Sequence, residues 1–439
     1  MGGFTILVRD REGEGGRFVF EGRSVRVGRS ADNDLVLPRR RVSDRHAVIF
    51  RKGRRFIVVD LVSTQGTWVG GRRISQPTVV GEGDPVEIGD FSLSCHAGDG
   101  GEGEARGLSS DLVPTQERLG ALRDALYGER TEGAWARVCA LFDEWPEDDD
   151  LALGLDYADR LLVGWPDDLR RAPELWKKPL LTGRPNPRFS IVRRLDLNYH
   201  FLGAAGAAAL ARMAWMAQLS ALSLRTAYLG DEGVEALTAT SCLRGLRALD
   251  LSHNEIGDRG AGSIAACAHL EGLERLTLDA NPLRGPGVLT LVGSSHLRGL
   301  RHLDLSNTSG RELATALAAS TQLASLETLR LTDNAIGADG AHILALAACM
   351  KTLTALHLSR NRIGDEGVMA LTSAPQPTRL THLDLSHNEI GDAGAQALAR
   401  SPQLPLLTHL DLTQNRLSPR GIQAIANSPF LPRLDTLRV

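Results

Sequence analysis

The hydrophobic rhythm of this chain changes twice. Over the first 97 residues, apolar positions come in short β-branched or aromatic runs: 4–9 (FTILVR), 17–20 (RFVF), 24–28 (SVRVG), 47–50 (AVIF) and 56–59 (FIVV). Gly, Asp and Arg separate them, and further strands fit near 86–88 and 91–95. Short strands punctuated by turn residues predict an all-β sandwich over 1–97. Residues 98–110 (GDGGEGEARGLSS) lose any apolar period and predict a flexible linker. The period then becomes helical. Leu119, Leu122 and Leu126 share a face, as do Trp135, Cys139 and Phe142; Leu151, Leu155, Ala158 and Leu162 follow the acidic start Glu147-Asp148-Asp149-Asp150, which suits a helix N-terminus. Trp135, Trp145, Trp165 and Trp176 fall in this stretch and read as core.

From residue 192 onward the chain repeats itself. The second Leu of L-x-x-L-x-L-x-x-N-x-[IL]-G recurs at 195, 222, 249, 276, 303, 329, 356, 383 and 410, in steps of 27 with one of 26 before Leu329. A tenth unit begins at Leu434 and Leu437. Each unit predicts a strand, whose alternate Leu residues enter the core, followed by a helix on the other side. Asn254, Asn281, Asn334, Asn361, Asn388 and Asn415 predict a buried amide ladder that satisfies backbone groups. His200, Ala227 and Thr308 replace that Asn, so the ladder is expected to loosen early and at the short fifth unit. Because the ends of stacked arrays need covering, residues 111–190 are expected to form a helical cap on the repeats at 191–439.

Composition narrows the function classes. A chain of 439 residues suggests roughly two to four domains. The net charge of −3 gives no global pull toward nucleic acid or a membrane surface. Lysine is confined to Lys52, Lys177, Lys178 and Lys351, an Arg-over-Lys bias that hints at a GC-rich bacterial genome. Cys95, Cys139, Cys242, Cys267 and Cys349 are scattered without a CxxC, so neither a disulfide framework nor a zinc site is expected. There is no charged-then-apolar leader and no uncharged apolar run of about 18 residues, which makes a cytoplasmic protein the expectation. No cofactor is implied.

The stretch GRSADNDLVLPRRRVSDRHA, residues 28–47, carries the chemistry. It places Arg29 on one loop and Ser43 and His46 on another, with a short apolar strand between. A guanidinium offers a planar fork of donors to phosphate, and a hydroxyl adds a short bond to the same oxygens. With no nucleophile–base pair beside them, these residues read as an anion holder and not as a catalyst. The stretch resembles the forkhead-associated (FHA) domain, whose pattern is GR, a strand, then S-x-x-H. Residues 60–71, DLVSTQGTWVGG, resemble that family's D-L-x-S-x-N-G-T-x-V-N-G. The resemblance implies that Arg29 and Ser43 hold a phosphothreonine and that Thr64 touches the phosphate. It implies further peptide contacts from Gln65 and Arg45, with Gly28 and His46 bracing the loop. Two positions depart from the family: Gln65 stands where an Asn commonly grips the peptide backbone, and Gly70 where a second Asn stands. Arg39, Arg40 and Arg41 are expected to raise the local field or simply to be solvated.

The repeats resemble the longer, ribonuclease-inhibitor-type leucine-rich repeat. On the strand face the middle position carries Asp196, Asp250, Asp304, Asp384 and Asp411, with Arg330 the main basic interruption. Asp250, Asp304, Asp384 and Asp411 are expected to meet a basic protein partner, the alternative being that LDLS is the commonest spelling of the repeat. His–Asp pairs such as His382/Asp384 do not point to a metal, since stacked repeats duplicate rows by default. The expected whole is multidomain: an N-terminal FHA sandwich, a short α-helical cap and a C-terminal α/β leucine-rich repeat horseshoe. Its expected work is that of a non-enzymatic, phosphothreonine-dependent signalling adaptor. One partner would be a phosphothreonine protein, such as a Ser/Thr kinase or its substrate, and the other a second protein on the repeats, with no nucleic acid and no membrane involved. A structural scaffold with a non-binding FHA domain, or a regulator of a GTPase acting through the repeats, are the competing readings.

Overall fold

A computed structural model describes residues 3–97, 109–146, 149–181, 184–308, 310–374 and 378–439. The expected linker lies outside the described residues except for 109 and 110, which begin a helix, and the acidic pair at 147 and 148 lies outside them too. The chain divides into two compact units, Met1–Leu169 and Arg170–Val439.

The first unit contains β1 (Phe4–Asp10), β2 (Gly15–Phe20), β3 (Ser24–Gly28), β4 (Leu35–Val36), β5 (Ala47–Lys52), β6 (Arg55–Asp60), β7 (Thr67–Val69), β8 (Arg72–Arg73), β9 (Thr78–Val80), β10 (Pro85–Ile88) and β11 (Phe91–Ala97). They form two sheets, ordered β2-β1-β11-β10-β7-β8 and β4-β3-β5-β6-β9. Period-2 alternation sends Phe4, Ile6 and Val8, Val25 and Val27, Ile49, Phe56 and Val58, and Leu93 and Cys95 into the shared core.

The opposite face of β5 and β6 is apolar as well. Val48 stands opposite Val59 and Phe50 opposite Ile57, and all four are at most 1% exposed. Helices α1 (Ser109–Tyr127) and α3 (Asp149–Leu161) lie against this face, and α2 (Glu132–Asp143) packs on α1. Phe50 meets Tyr157 of α3 edge-on at 6.1 Å. Lys52 Nζ donates to Thr115 Oγ1 (2.9 Å) and Asp150 Oδ2 (2.6 Å), and Gln116 Nε2 donates to the Pro77 carbonyl. This corrects the expected single cap over 111–190: α1 to α3 belong to the sandwich unit, and only the chain from Arg170 belongs with the repeats. The apolar stripes of these helices are buried, but an amphipathic face does not name its partner.

The second unit opens with α4 (Glu174–Leu181). It continues into a ten-stranded parallel sheet in strict sequence order, from β12 (Arg194–Asp196) to β21 (Thr436–Arg438), each strand in register with the next. Helices from α5 (Gly203–Ala211) to α13 (Pro419–Ala426) alternate with these strands. The Asn ladder is present. Asn361 Nδ2 donates back to the Leu331 carbonyl (2.8 Å), and its Oδ1 accepts from the backbone N–H groups of Asn334 (3.0 Å) and Ile336 (3.3 Å). At the short unit, the Thr308 hydroxyl turns to its own strand's Leu305 carbonyl. A second ladder runs along the helix starts. Asp231 Oδ1 accepts from Gly257 N–H (2.7 Å) and Gly260 N–H (2.9 Å) of the next repeat, and Asp365 does the same for Gly391 (2.6 Å) and Gly394 (2.9 Å). Each such carboxylate caps its neighbour's helix and not its own.

Candidate functional site

Three loops of the sandwich carry Arg29, Ser43 and Thr64: those after β3, before β5 and after β6. The chain leaving β3 is zipped to the loop before β5 by Arg29 N–H to the Ser43 carbonyl (2.9 Å) and Ser30 N–H to the Asp44 carbonyl (3.1 Å). Gly28 permits this approach, since a Cβ there would lie 2.2 Å from the Asp44 carbonyl oxygen. The buried Asn33 locks the junction, its Nδ2 donating to the carbonyls of Ser30 (2.8 Å) and Asp44 (2.7 Å).

His46 ties this loop to the one after β6. It is fully buried; its Nδ1 accepts the Ser43 N–H (3.1 Å), so Nε2 carries the proton and donates to the Gly66 carbonyl (3.2 Å). Burial pushes the imidazole below its ordinary range, which keeps this neutral tautomer. Asp60 anchors the third loop by accepting from Ser63 N–H and Oγ and from Thr67 Oγ1 (2.7 Å). The result sets Ser43 Oγ 3.0 Å from the Thr64 N–H, which it accepts, and 3.4 Å from Thr64 Oγ1. Arg29, Ser43 and Thr64 therefore stand on neighbouring loops joined by these bonds.

The charges around the loops are more balanced than the sequence suggests. Arg29 donates through Nε (2.9 Å) and Nη2 (2.7 Å) to Asp44 Oδ1. Arg39 faces Asp10 (3.8 Å), and Arg41 and Arg11 both face Asp90 (3.3 Å each). Two of the three arginines expected to strengthen the field are thus opposed by carboxylates. Arg45 donates to Asp32 (2.9 Å), and hydrogen bonds from Ser30 and Arg45 hold that carboxyl below the ordinary carboxylate range. Arg45 lines a separate hollow with Arg26, Asn33, Leu61, Asp159 and Arg160, where the sequence reading grouped it with Ser43 and Thr64.

On the repeat face, the expected bare acidic row is corrected. Asp250 Oδ1 accepts both the N–H (3.0 Å) and the hydroxyl (2.6 Å) of Ser252. Asp384 repeats this with Ser386 and Asp411 with Thr413, while Asp304 accepts the Ser306 N–H. One oxygen of each carboxylate thus closes the turn out of its own strand. The others have neighbours: Asp384 lies 3.8 Å from His357, Asp411 lies 3.7 Å from Arg438, and Arg330 is the register partner of Asp304. His382 and His409 stack at 4.2 Å beside them. Among the described residues, no three His, Cys, Asp or Glu side chains are gathered to hold a metal, and no helix is long and apolar enough to cross a membrane.

Comparison with known proteins fits both units. Residues 25–89 match the FHA domain family, and residues 244–265, 322–345, 349–371, 376–399 and 403–426 match the leucine-rich repeat family. The chain carries an FHA domain and a leucine-rich repeat array. Over 92 residues the FHA region is 35% identical to an oxoglutarate dehydrogenase inhibitor of Corynebacterium jeikeium, covering 21% of this chain and 63% of that protein. It is equally identical to the glycogen accumulation regulator GarA of Mycolicibacterium smegmatis, covering 21% and 58%. The chain thus spans less than two thirds of the length of these relatives. A solved structure of Mycobacterium tuberculosis EmbR in complex with a low-affinity phosphopeptide is 30% identical, covering 23% of this chain and 26% of that one, with a TM-score of 0.20.

The departures from the FHA pattern have plain structural settings. Gln65 is exposed, and its carbonyl accepts the Trp68 indole N–H (3.2 Å). Gly70 takes a φ of +56° in the β7–β8 turn, a left-handed conformation that Asn also tolerates but most side chains resist. Sequence reasoning missed Asn33 as the lock, Asp60 as the anchor and Asp44 as the partner of Arg29. The spacing Asp60–Ser63–Thr67 was a usable signal for the anchor, because a carboxylate can reach hydroxyls a few residues ahead in a turn.

Proposed function

We propose that this protein is a non-enzymatic adaptor whose FHA domain binds phosphothreonine-containing segments and whose repeats bind a second protein. The observation that carries this reading is the placing of Arg29, Ser43 Oγ and the Thr64 hydroxyl on neighbouring loops tied together by His46, Asn33 and the Thr64 N–H to Ser43 Oγ bond. Such donors suit a phosphate dianion, which presents three acceptor oxygens. The names of the relatives, an inhibitor and a regulator, agree with a regulatory role. Gln65 would reach the ligand backbone beside them, and the mixed Asp, His and Arg face of the repeats would meet the second partner.

The test is titration of the full-length chain with a phosphothreonine peptide library, beside unphosphorylated and phosphoserine controls. Hydrogen bonds to charged groups contribute about 1.5–3 kcal/mol, so Arg29→Ala and Ser43→Ala should each weaken binding by about ten- to a hundredfold. Circular dichroism would show the variants folded. Undiminished binding by the double variant would remove the phosphate clamp from consideration.

A further inference from the structure

We propose that Asp44 is a built-in counter-charge on the phosphate clamp, and that it selects ligands carrying a Lys or Arg beside the phosphothreonine. This rests on the reading of Arg29, Ser43 and Thr64 given above. Asp44 Oδ1 takes two N–H groups of Arg29, at 2.9 and 2.7 Å. Guanidinium has five N–H donors, so three remain on its outer edge. Asp44 therefore fixes the direction of the Arg29 side chain without consuming it. The pair is open to solvent, with side-chain exposures of 44% for Arg29 and 68% for Asp44.

Of the other carboxylates around these loops, Asp32 is engaged by Arg45, Asp10 by Arg39 and Asp90 by Arg41 and Arg11, while Asp60 is buried and taken up by Ser63 and Thr67. Asp44 is engaged by the clamp's own arginine, and its Oδ2 accepts no hydrogen bond from the described residues. A phosphate carrying about −1.5 to −2 charges, seated on Arg29 and Ser43, would lie within one guanidinium width of that carboxylate. The two repel, and Arg29's charge is already formally cancelled. A ligand cation placed between phosphate and Asp44 Oδ2 removes the repulsion and gains a partner. An acidic neighbour on the ligand makes the repulsion worse. The counter-charge thereby converts a general phosphate clamp into one that reads the residue next to the phosphate.

The experiment uses the full-length chain as wild type, Asp44→Asn, Asp44→Ser and Arg29→Ala. The probes are three phosphothreonine peptides, identical except for Lys, Ala or Glu on both sides of the phosphothreonine. Asn keeps an oxygen for Arg29 to donate to while losing the charge. Wild type should bind the Lys peptide roughly three- to tenfold more tightly than the Ala peptide, and the Glu peptide more weakly still. Asp44→Asn should bind the Ala peptide about three- to tenfold more tightly than wild type does, with the Lys preference reduced to about twofold or less. The difference between wild type and Asp44→Asn should shrink as salt rises. Asp44→Ser should lose the Lys preference in the same way, whatever its effect on overall affinity. Unchanged or weaker binding of the Ala peptide by Asp44→Asn, with the flank preference intact, would overturn the proposal. So would a gain that does not respond to salt. If Arg29→Ala binds all three peptides as wild type does, it is the clamp itself that fails, independently of Asp44.

Discussion

Replacing Phe50 with Ala tests whether α1 to α3 are part of the folded FHA unit. Phe50 points away from the sandwich core, yet it is 1% exposed because Tyr157 and its helix cover it. In an open sandwich this position would face water, and truncating it would change stability by no more than about 0.5 kcal/mol. Buried as it is, the same change should cost about 3–5 kcal/mol, through lost apolar transfer and the cavity left behind. Ile49, next to it and in the inner core, provides the yardstick, since Ile→Ala there should cost about 2–5 kcal/mol. The assay is guanidinium unfolding of the full chain followed by tryptophan fluorescence. Trp68, Trp135, Trp145 and Trp165 lie in the first unit and dominate its signal. With a slope of roughly 4 kcal/mol per molar for a unit of this size, both variants should lower the first unit's midpoint by about 1 M. A shift below about 0.2 M for Phe50→Ala, beside a full shift for Ile49→Ala, would refute the claim. The same reasoning makes 1–97 a poor fragment for ligand work, because it would expose Val48, Phe50, Ile57 and Val59 together.

Two further outcomes follow from the site and the solenoid. Because burial depresses the His46 pKa, the stabilisation from its neutral form is fully present above the unfolded value and is lost as pH falls toward the folded one. Between about pH 7.5 and pH 5.5 the first unit should therefore lose more thermal stability in wild type than in His46→Gln, and equal losses would contradict the assignment. Asp365→Ala should destabilise the repeats by about 1–2 kcal/mol in urea unfolding, with Asp365→Asn milder because it keeps an acceptor for Gly391 and Gly394; identical curves for both variants and wild type would show that the cap contributes nothing.

How much of this was legible in the sequence depends on how far each interaction reaches. The strands, the helical stripes and the repeat register are local periodicities, and all appear where the pattern places them. So do the loops that hold Arg29, Ser43 and Thr64, because two motif blocks carry them. The covering of the sandwich was signalled but not decoded. The unbroken apolar runs AVIF and FIVV, in strands that pair antiparallel, mean that both faces are buried, yet they do not say by what. The helix-start carboxylates at Asp231, Asp258, Asp365 and Asp392 also recur at the repeat's spacing. They escaped because an Asp opening a helix reads as serving its own helix, whereas these serve the next one. Asp44 was hidden for a related reason: adjacency to Ser43 gives no hint that its carboxylate crosses to Arg29.

The interruption at Thr308 bears on how the array carries load. Repeats that touch only their neighbours behave as links in series, and the weakest link sets the distance over which a disturbance travels. From Asn254 onward an amide reaches back across the other junctions, as Asn281 does to the Leu251 carbonyl and Asn334 to the Leu305 carbonyl. The hydroxyl of Thr308 sends nothing back toward Leu278; it meets its own repeat's Leu305 carbonyl (2.7 Å) and Asn334 Oδ1 of the following repeat (3.3 Å). A ligand gripping the strands after this junction would pass its stiffening to the earlier ones with one side-chain tie fewer, through main-chain bonds such as Leu278 N–H to the Asp304 carbonyl (2.9 Å). The solenoid would then answer mechanically as two short springs joined end to end.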